Sequence, residues 1–259
     1  MYSSPEITST LIDVCHKAGE KIMEIYHSSE WNVEEKDDHS PLTKADKEAH
    51  LIIMKGLSEL PVQFPIISEE GKNIPFEERK DWNTFWLVDP LDGTKEFIKR
   101  NGQFTVNIAL IENNVPVLGF IFAPATGEMF YGIKGMGAFK ISAEGVKTEI
   151  KVSNRTSKLV AVGSSSHASE EDAALLAKYD IAETIKSGSS LKFCKVAEGL
   201  ADIYLRTGPT MEWDTAAGQC IAECAGAIMT KLDESPFIYN KENLLNGGFI
   251  CLKNNPFVN

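Results

Sequence analysis

One stretch constrains this chain more than any other: Trp86-Leu87-Val88-Asp89-Pro90-Leu91-Asp92-Gly93-Thr94-Lys95-Glu96-Phe97. The apolar run Phe85 to Val88 has the length and composition of a buried strand. Asp89 and Asp92 follow, three residues apart, with Pro90 between them. Pro90 fixes its own φ and lacks an N–H, which predicts that this segment is not strand interior. Gly93 and Thr94 then open a helix over Lys95 to Lys99. A strand end, a carboxylate-bearing turn and a helix N-terminus therefore meet within a few residues. Carboxylate oxygens can hold Mg²⁺, and the N–H groups of a first helical turn can hold a phosphate. That pairing suggests metal-assisted phosphate hydrolysis. The same residues also suit a plain turn with Asp92 as an N-cap, so the rest of the chain must decide.

The chain has 259 residues, 43% hydrophobic and 24% charged, enough for a large core in one domain or two closely packed halves. No apolar run approaches the ~20 residues that span a bilayer. The start, Met1-Tyr2-Ser3-Ser4-Pro5-Glu6, has neither the basic nor the apolar region of a secretory signal. Five cysteines without CxxC spacing fit reduced thiols, and a cytoplasmic location is expected. A net charge of −11 argues against nucleic-acid polymers as partners, which need a basic footprint. An anionic small-molecule substrate is compatible with that charge if bound divalent cations reverse the local field.

Pro5 to Tyr26 reads as an amphipathic helix, with Ile7, Leu11, Val14, Ala18, Ile22 and Ile25 at helical spacing. Ser28 to Ser40 is polar and reads as a loop or irregular hairpin. Ser40-Pro41-Leu42-Thr43-Lys44-Ala45-Asp46 leads into a second helix, with Asp46 in its first turn, where an acid also suits the helix dipole. Phe64 to Ser68 reads as a strand ending in Glu69-Glu70-Gly71. One excursion, Lys72 to Thr84, separates it from the Asp89 strand, so the two strand ends can be neighbours. Strands are expected over Phe104–Ile111, Pro116–Ala123, Glu128–Ile133 and Gly137–Ile141, which makes residues 1–150 an α+β half. The polar segment Ser142 to Ser157 is the candidate boundary.

Residues 151–259 alternate as an α/β half. Strands are expected over Leu159–Gly163, Glu183–Lys186, Asp202–Arg206, Ala227–Lys231 and Gly248–Leu252, with helices over Ser169–Tyr179, Ser190–Gly199 and Asp214–Gly226. Asp214 heads a helix of small residues, Thr215-Ala216-Ala217-Gly218, and an ordinary N-cap is the competing role. Ser187-Gly188-Ser189-Ser190-Leu191-Lys192 offers hydroxyls, N–H groups and an ammonium that suit a phosphate or ribose, and equally a helix cap. Cys220 and Cys224 lack matching histidines for zinc. Gly163-Ser164-Ser165-Ser166-His167 lacks the Gly-x-Ser-x-Gly elbow of a serine hydrolase.

Taken together, Ser68-Glu69-Glu70, Asp89-Pro90-Leu91-Asp92-Gly93-Thr94 and Trp213-Asp214-Thr215-Ala216-Ala217-Gly218 resemble the inositol monophosphatase superfamily of Mg²⁺-dependent, lithium-sensitive phosphatases. Residues 40–46, 95–102, 104–111, 188–194 and 208–210 are similar to its CysQ-type branch, the bacterial 3′(2′),5′-bisphosphate nucleotidases. The likeness is weakest over Asn73–Asp81 and Ser142–Ser157, and Met211-Glu212 departs from the pattern by setting an acid beside the expected metals.

The resemblance implies a layered αβαβα sandwich with its site between the two halves. It implies hydrolysis of adenosine 3′,5′-bisphosphate to AMP and phosphate, the recycling step of sulfate assimilation, with phosphoadenylyl sulfate as a second substrate. Two Mg²⁺ ions are implied: Glu69, Asp89 and the Leu91 carbonyl for the first, Asp89, Asp92 and Asp214 for the second. A third near Glu69 would share water activation with Thr94 and Asp46. The N–H groups of Gly93 and Thr94 would bind the scissile phosphate, and Gly188, Ser189, Ser190 and Lys192 the second phosphate or sugar. Some such relatives sit at the cytoplasmic face of the inner membrane, though no signal here requires it. The competing readings are a superfamily phosphatase for inositol monophosphate or fructose 1,6-bisphosphate, and a non-catalytic nucleotide-binding protein. Oligomeric state is not legible.

Overall fold

The structure, a computed structural model, describes residues 4–28, 34–35, 41–164 and 169–253. Helix α1 (Pro5–His27) starts where Ser4 Oγ accepts the Ile7 N–H at 3.3 Å, and it buries the expected stripe from Ile7 to Ile25. Strand β1 (Glu34–Glu35) pairs antiparallel with β2 (Pro41–Leu42); the rest of the expected loop over residues 29–40 lies outside the described residues. Helix α2 (Lys44–Ser58) is capped by Thr43 and buries Ala45, Asp46, Ala49, Ile53 and Leu57.

Strand β3 (Ile66–Ser68), the short helix α3 (Phe76–Arg79), β4 (Thr84–Asp92) and α4 (Thr94–Ile98) come next. The antiparallel run β5 (Thr105–Glu112), β6 (Val115–Ala123), β7 (Glu128–Ile133), β8 (Gly137–Ile141) and β9 (Lys147–Ile150) follows. These strands form one seven-stranded sheet in the order β3-β4-β5-β6-β7-β8-β9, in which only the β3/β4 pair is parallel. The second half contributes β10 (Leu159–Ser164), α5 (Glu170–Leu176), β11 (Ile181–Ser187), α6 (Leu191–Ala197) and β12 (Ile203–Arg206). It continues with β13 (Thr210–Met211), α7 (Glu212–Cys224), β14 (Ala227–Lys231), β15 (Leu245–Asn246) and β16 (Phe249–Lys253). A five-stranded sheet runs β11-β10-β12-β16-β14, and β13 and β15 form a separate ribbon.

Both faces of the seven-stranded sheet are covered. Phe104, Val106, Ile108 and Leu110 pack with the stripe of α1 and α2 into one core, while Ala109, Ile111 and Ile121 join the helices α6 and α7 in another. Each large apolar side chain so buried contributes about 1.5–3 kcal/mol. The layers are α1/α2, the seven-stranded sheet, α6/α7, the five-stranded sheet and α5, the sandwich that the resemblance implied. Helix α7 comes close to the first sheet because Gly119 and Gly132 give it room. A Cβ at Gly119 would lie 2.5 Å from the Ala217 carbonyl oxygen, and one at Gly132 would lie 2.8 Å from Ile221 Cα.

Two expectations are corrected and one strand is added. Pro90 lies inside β4 rather than beyond it, because the ladder carries a bulge: Asp89 pairs with Asn107 and Asp92 with Thr105, so β4 has one residue more than β5 between those pairs. A bulge is where a strand tolerates a proline without an N–H to give. The polar segment 142–157 contains β9, an edge strand not expected from the sequence, which completes the first sheet and ends at Ile150. Helix α7 begins at Glu212, which puts Asp214 in the third helical position instead of at the cap.

Candidate active site

Parallel pairing of β3 with β4 brings the two acidic strand ends together. Ser68 pairs with Val88, and the Glu69 N–H donates to the Val88 carbonyl at 3.1 Å, which sets Glu69 beside Asp89. Asp92 ends β4, and Gly93 turns the chain into α4 with φ +93°; an added Cβ there would meet the Gln103 carbonyl oxygen at 3.0 Å. Asp214 arrives from the other half on the first turn of α7, where its Oδ2 accepts the Met211 N–H at 2.9 Å. A cavity of about 500 Å³ is lined by Glu69, Asp89, Leu91, Asp92, Gly93, Thr94 and Asp214, together with Ser189, Ser190, Lys192 and Arg206. Acids from three distant parts of the chain therefore share one cavity.

Asp46 is buried at the start of α2 and reaches this cavity through Thr94, whose Oγ1 donates to Asp46 Oδ1 at 3.2 Å. Its other oxygen accepts the Thr43 N–H at 2.8 Å and the Thr43 hydroxyl at 2.5 Å. Burial pushes the Asp46 carboxyl up to about 6; the Thr43 hydrogen bonds oppose the rise, and Glu70 and Glu69 add to it. Asp89 and Asp214 are both raised well above the usual carboxylate range. Burial is the chief cause in each, followed for Asp89 by the charges of Glu69, Asp92 and Asp214, and for Asp214 by those of Asp92 and Glu69.

The serine turn serves the acids first. Ser189 Oγ donates to Asp92 Oδ2 at 2.6 Å, and Ser190 Oγ lies 2.7 Å from the same oxygen and 2.9 Å from the Asp214 carbonyl. Asn107 Nδ2 donates to Ser190 Oγ at 2.9 Å, and Thr105 Oγ1 lies 2.6 Å from Ser189 Oγ. Gly188 packs against Gln103, where a Cβ would meet the Gln103 Cβ at 2.8 Å. Lys192 is buried, donates to the Ser189 carbonyl and lies over the Tyr204 ring. Its ammonium is pushed down to about 8 by burial, against the pull of Asp92.

The donor set fits a hard divalent cation. Four carboxylates and the Leu91 carbonyl are the oxygen ligands that Mg²⁺ takes, and buried acids that raise one another's pKa are relieved by a positive ion between them. Among the described residues no three His, Cys, Asp or Glu side chains are drawn together around a single point; Asp92 and Asp214 are held by their own protein donors.

Arg206 is the functional candidate that sequence reasoning missed. It lines the cavity, with its guanidinium held by the Gly208 and Pro209 carbonyls, but one arginine at a strand end has no spacing to mark it. Thr105 and Asn107 were legible in principle as buried polar residues alternating with Phe104, just before β5, and with Val106 and Ile108 on it. Glu212 does not face the acids: it is fully buried on partners in segment 240–241. The motif ending in Ser165-Ser166-His167 lies outside the described residues.

The model of the inositol monophosphatase family matches residues 4–254 of the chain. The 3′(2′),5′-bisphosphate nucleotidase CysQ of Escherichia coli K12 is 45% identical over 238 residues, 91% of this chain and 95% of that protein. The protein of the same name from Haemophilus influenzae is 36% identical over 251 residues, 94% of this chain and 91% of that one. The crystal structure of CysQ from Bacteroides thetaiotaomicron superposes with a TM-score of 0.85 at 43% identity, covering 98% of this chain and 99% of that one. With an acid-lined cavity at the junction of its two sheets and likeness along its whole length, the chain belongs to the inositol monophosphatase family.

Proposed function

We propose that this protein is a Mg²⁺-dependent phosphatase that removes the 3′-phosphate of adenosine 3′,5′-bisphosphate, giving AMP and phosphate, and that it acts likewise on phosphoadenylyl sulfate. The observation that carries the reading is the convergence of Glu69, Asp89, Asp92 and Asp214 on a cavity that also holds Lys192 and Arg206. Relatives named as bisphosphate nucleotidases, 36–45% identical over nearly all of the chain, support the choice of substrate.

In this reading Glu69, Asp89 and the Leu91 carbonyl would hold one cation, Asp89, Asp92 and Asp214 a second, and Glu69 would help to hold a third. Bound magnesium supplies Lewis acidity to the phosphoryl oxygens and makes water more acidic. The Gly93 and Thr94 N–H groups cradle the scissile phosphate. Thr94 and Asp46 orient the attacking water, whose oxygen bonds to phosphorus as the bond to the 3′ oxygen breaks; Asp46 accepts the water's proton, and the departing 3′ oxygen takes one from solvent to become the hydroxyl of AMP. A carboxyl raised to about 6 is ionised at neutral pH and still basic enough for that task. Lys192 and Arg206 supply positive charge for the second phosphate, while Ser189 and Ser190 orient Asp92. Recycling of the nucleotide by-product of sulfate assimilation is the corresponding place in metabolism. No helix among the described residues is long and apolar enough to cross a membrane.

The test is phosphate release from adenosine 3′,5′-bisphosphate, inositol monophosphate and fructose 1,6-bisphosphate, each with Mg²⁺ and with added lithium. Preference for the nucleotide, inhibition by lithium and loss of turnover in Asp92→Asn are expected. Faster hydrolysis of either sugar phosphate would overturn the substrate assignment, and nucleotide binding without turnover would overturn the enzyme assignment.

A further inference from the structure

Glu212 precedes Asp214 by two residues on the first turn of α7 and is completely buried. Its carboxylate accepts the N–H groups of Asn240 at 2.8 Å and Lys241 at 3.0 Å, and the Lys241 ammonium at 2.5 Å. Asn240 is gripped in turn by Arg79. The guanidinium donates to Asn240 Oδ1 at 2.8 Å, and Asn240 Nδ2 donates back to the Arg79 carbonyl at 2.8 Å. Arg79 also donates to the carbonyls of Lys241 and Glu242, at 2.7 and 2.9 Å. It ends α3, the helix that lies between the β3 strand leading into Glu69 and the β4 strand carrying Asp89. A continuous run of buried hydrogen bonds thus joins the excursion that links Glu69 to Asp89 with the turn that presents Asp214.

We propose that the Arg79–Asn240–Glu212 network, closed by Lys241, is a strut that sets Asp214 against Glu69 and Asp89, making Glu212 a positioning residue for divalent-cation binding. The proposal rests on the reading of those acids as a cation site. A buried ion pair is a poor means of adding stability, since desolvation offsets much of the attraction. Directional bonds do what apolar packing does not: they fix the first turn of α7 against sliding and rotation. Hydrogen-bond partners one step behind the ligands commonly control affinity in this way.

The experiment is Mn²⁺ binding to the full-length protein, followed by electron paramagnetic resonance below the unfolding temperature of every variant, alongside thermal melting. Glu212→Gln, which removes the charge at nearly constant volume, should weaken Mn²⁺ binding about 10- to 100-fold, the range for such partners. Lys241→Met, which leaves the two backbone donors in place, should weaken it less. A folded Glu212→Gln protein that melts lower yet binds Mn²⁺ like wild type would overturn the strut. If Glu212→Gln does not fold, wild-type affinity in Lys241→Met overturns it equally. Wild-type protein that takes up no Mn²⁺ would sink the cation site itself, an outcome distinguishable because it appears before any substitution.

Discussion

Replacing Gly119 with alanine probes how tightly the site depends on the packing of α7. The new Cβ would lie 2.5 Å from the Ala217 carbonyl oxygen and 2.8 Å from Cys220 Cβ, where real Cβ atoms stop at about 3.0 Å, so roughly 0.5 Å must be found. The nearest obstacle is helix backbone, which does not swing aside as a flexible side chain would. Overpacking of this kind costs about 1–3 kcal/mol. For a chain of this size that lowers Tm by about 2–12 °C. Ala217 is three residues from Asp214 on the same helix, so separation of α7 from the sheet moves that carboxylate too. A 1 Å misplacement can cost ~100-fold, so half of that is expected to cost about tenfold in kcat/KM. Melting and steady-state kinetics on Gly119→Ala beside Gly247→Ala, where nothing lies within 4 Å of an added Cβ, form the assay. If the two variants match each other in Tm and in kcat/KM, the reasoning that α7 is held at its closest approach is refuted.

Further outcomes follow from the electrostatics. Thr43→Val removes the hydroxyl bond that holds Asp46 down, so its carboxyl should rise above about 6, and the acid limb of kcat/KM should move to higher pH; an unmoved limb would mean another group sets it. Asp89 is raised well above its ordinary 3.8, so the folded state holds that proton more tightly than the unfolded chain does. Its contribution to metal-free stability is full below about 3.8 and is lost as pH rises through the folded value, so Asp89→Asn should raise the metal-free Tm at neutral pH while abolishing turnover. Mg²⁺ should raise the Tm of wild type and do so far less for that variant, by mass action on the folded state. Lys192→Ala should narrow the preference for the bisphosphate over AMP, and an unaltered preference would remove Lys192 from substrate recognition.

Much of this was legible in the sequence because the signals were local. The stripe of α1, the alternation of β5 and the turn-bounded β7 and β8 each follow from periodicity within one segment. The neighbouring strand ends at Glu69 and Asp89 were also readable, since one short excursion limits how far apart they can lie. What escaped depended on partners far away in the chain. Polar β9 gives no strand signal until β8 stands beside it. Glu212 looks like an acid next to a site until Asn240 and Lys241, 28 and 29 residues on, are seen to take its charge. Arg206 has no local pattern at all. Ser189 and Ser190 offered hydroxyls suited to a ligand, and only the fold shows them bonded to Asp92.

The irregularity at Pro90 has a consequence for how such a site can arise. In an unbroken ladder, positions separated by three alternate in direction, so Asp89 and Asp92 would project from opposite surfaces. Their pairing partners Asn107 and Thr105 are separated by two and project alike, and the additional residue in β4 therefore reverses the parity of everything after it. The bulge thus lets two acids three positions apart share one direction, and it makes room between them for a proline that a regular ladder position would not take.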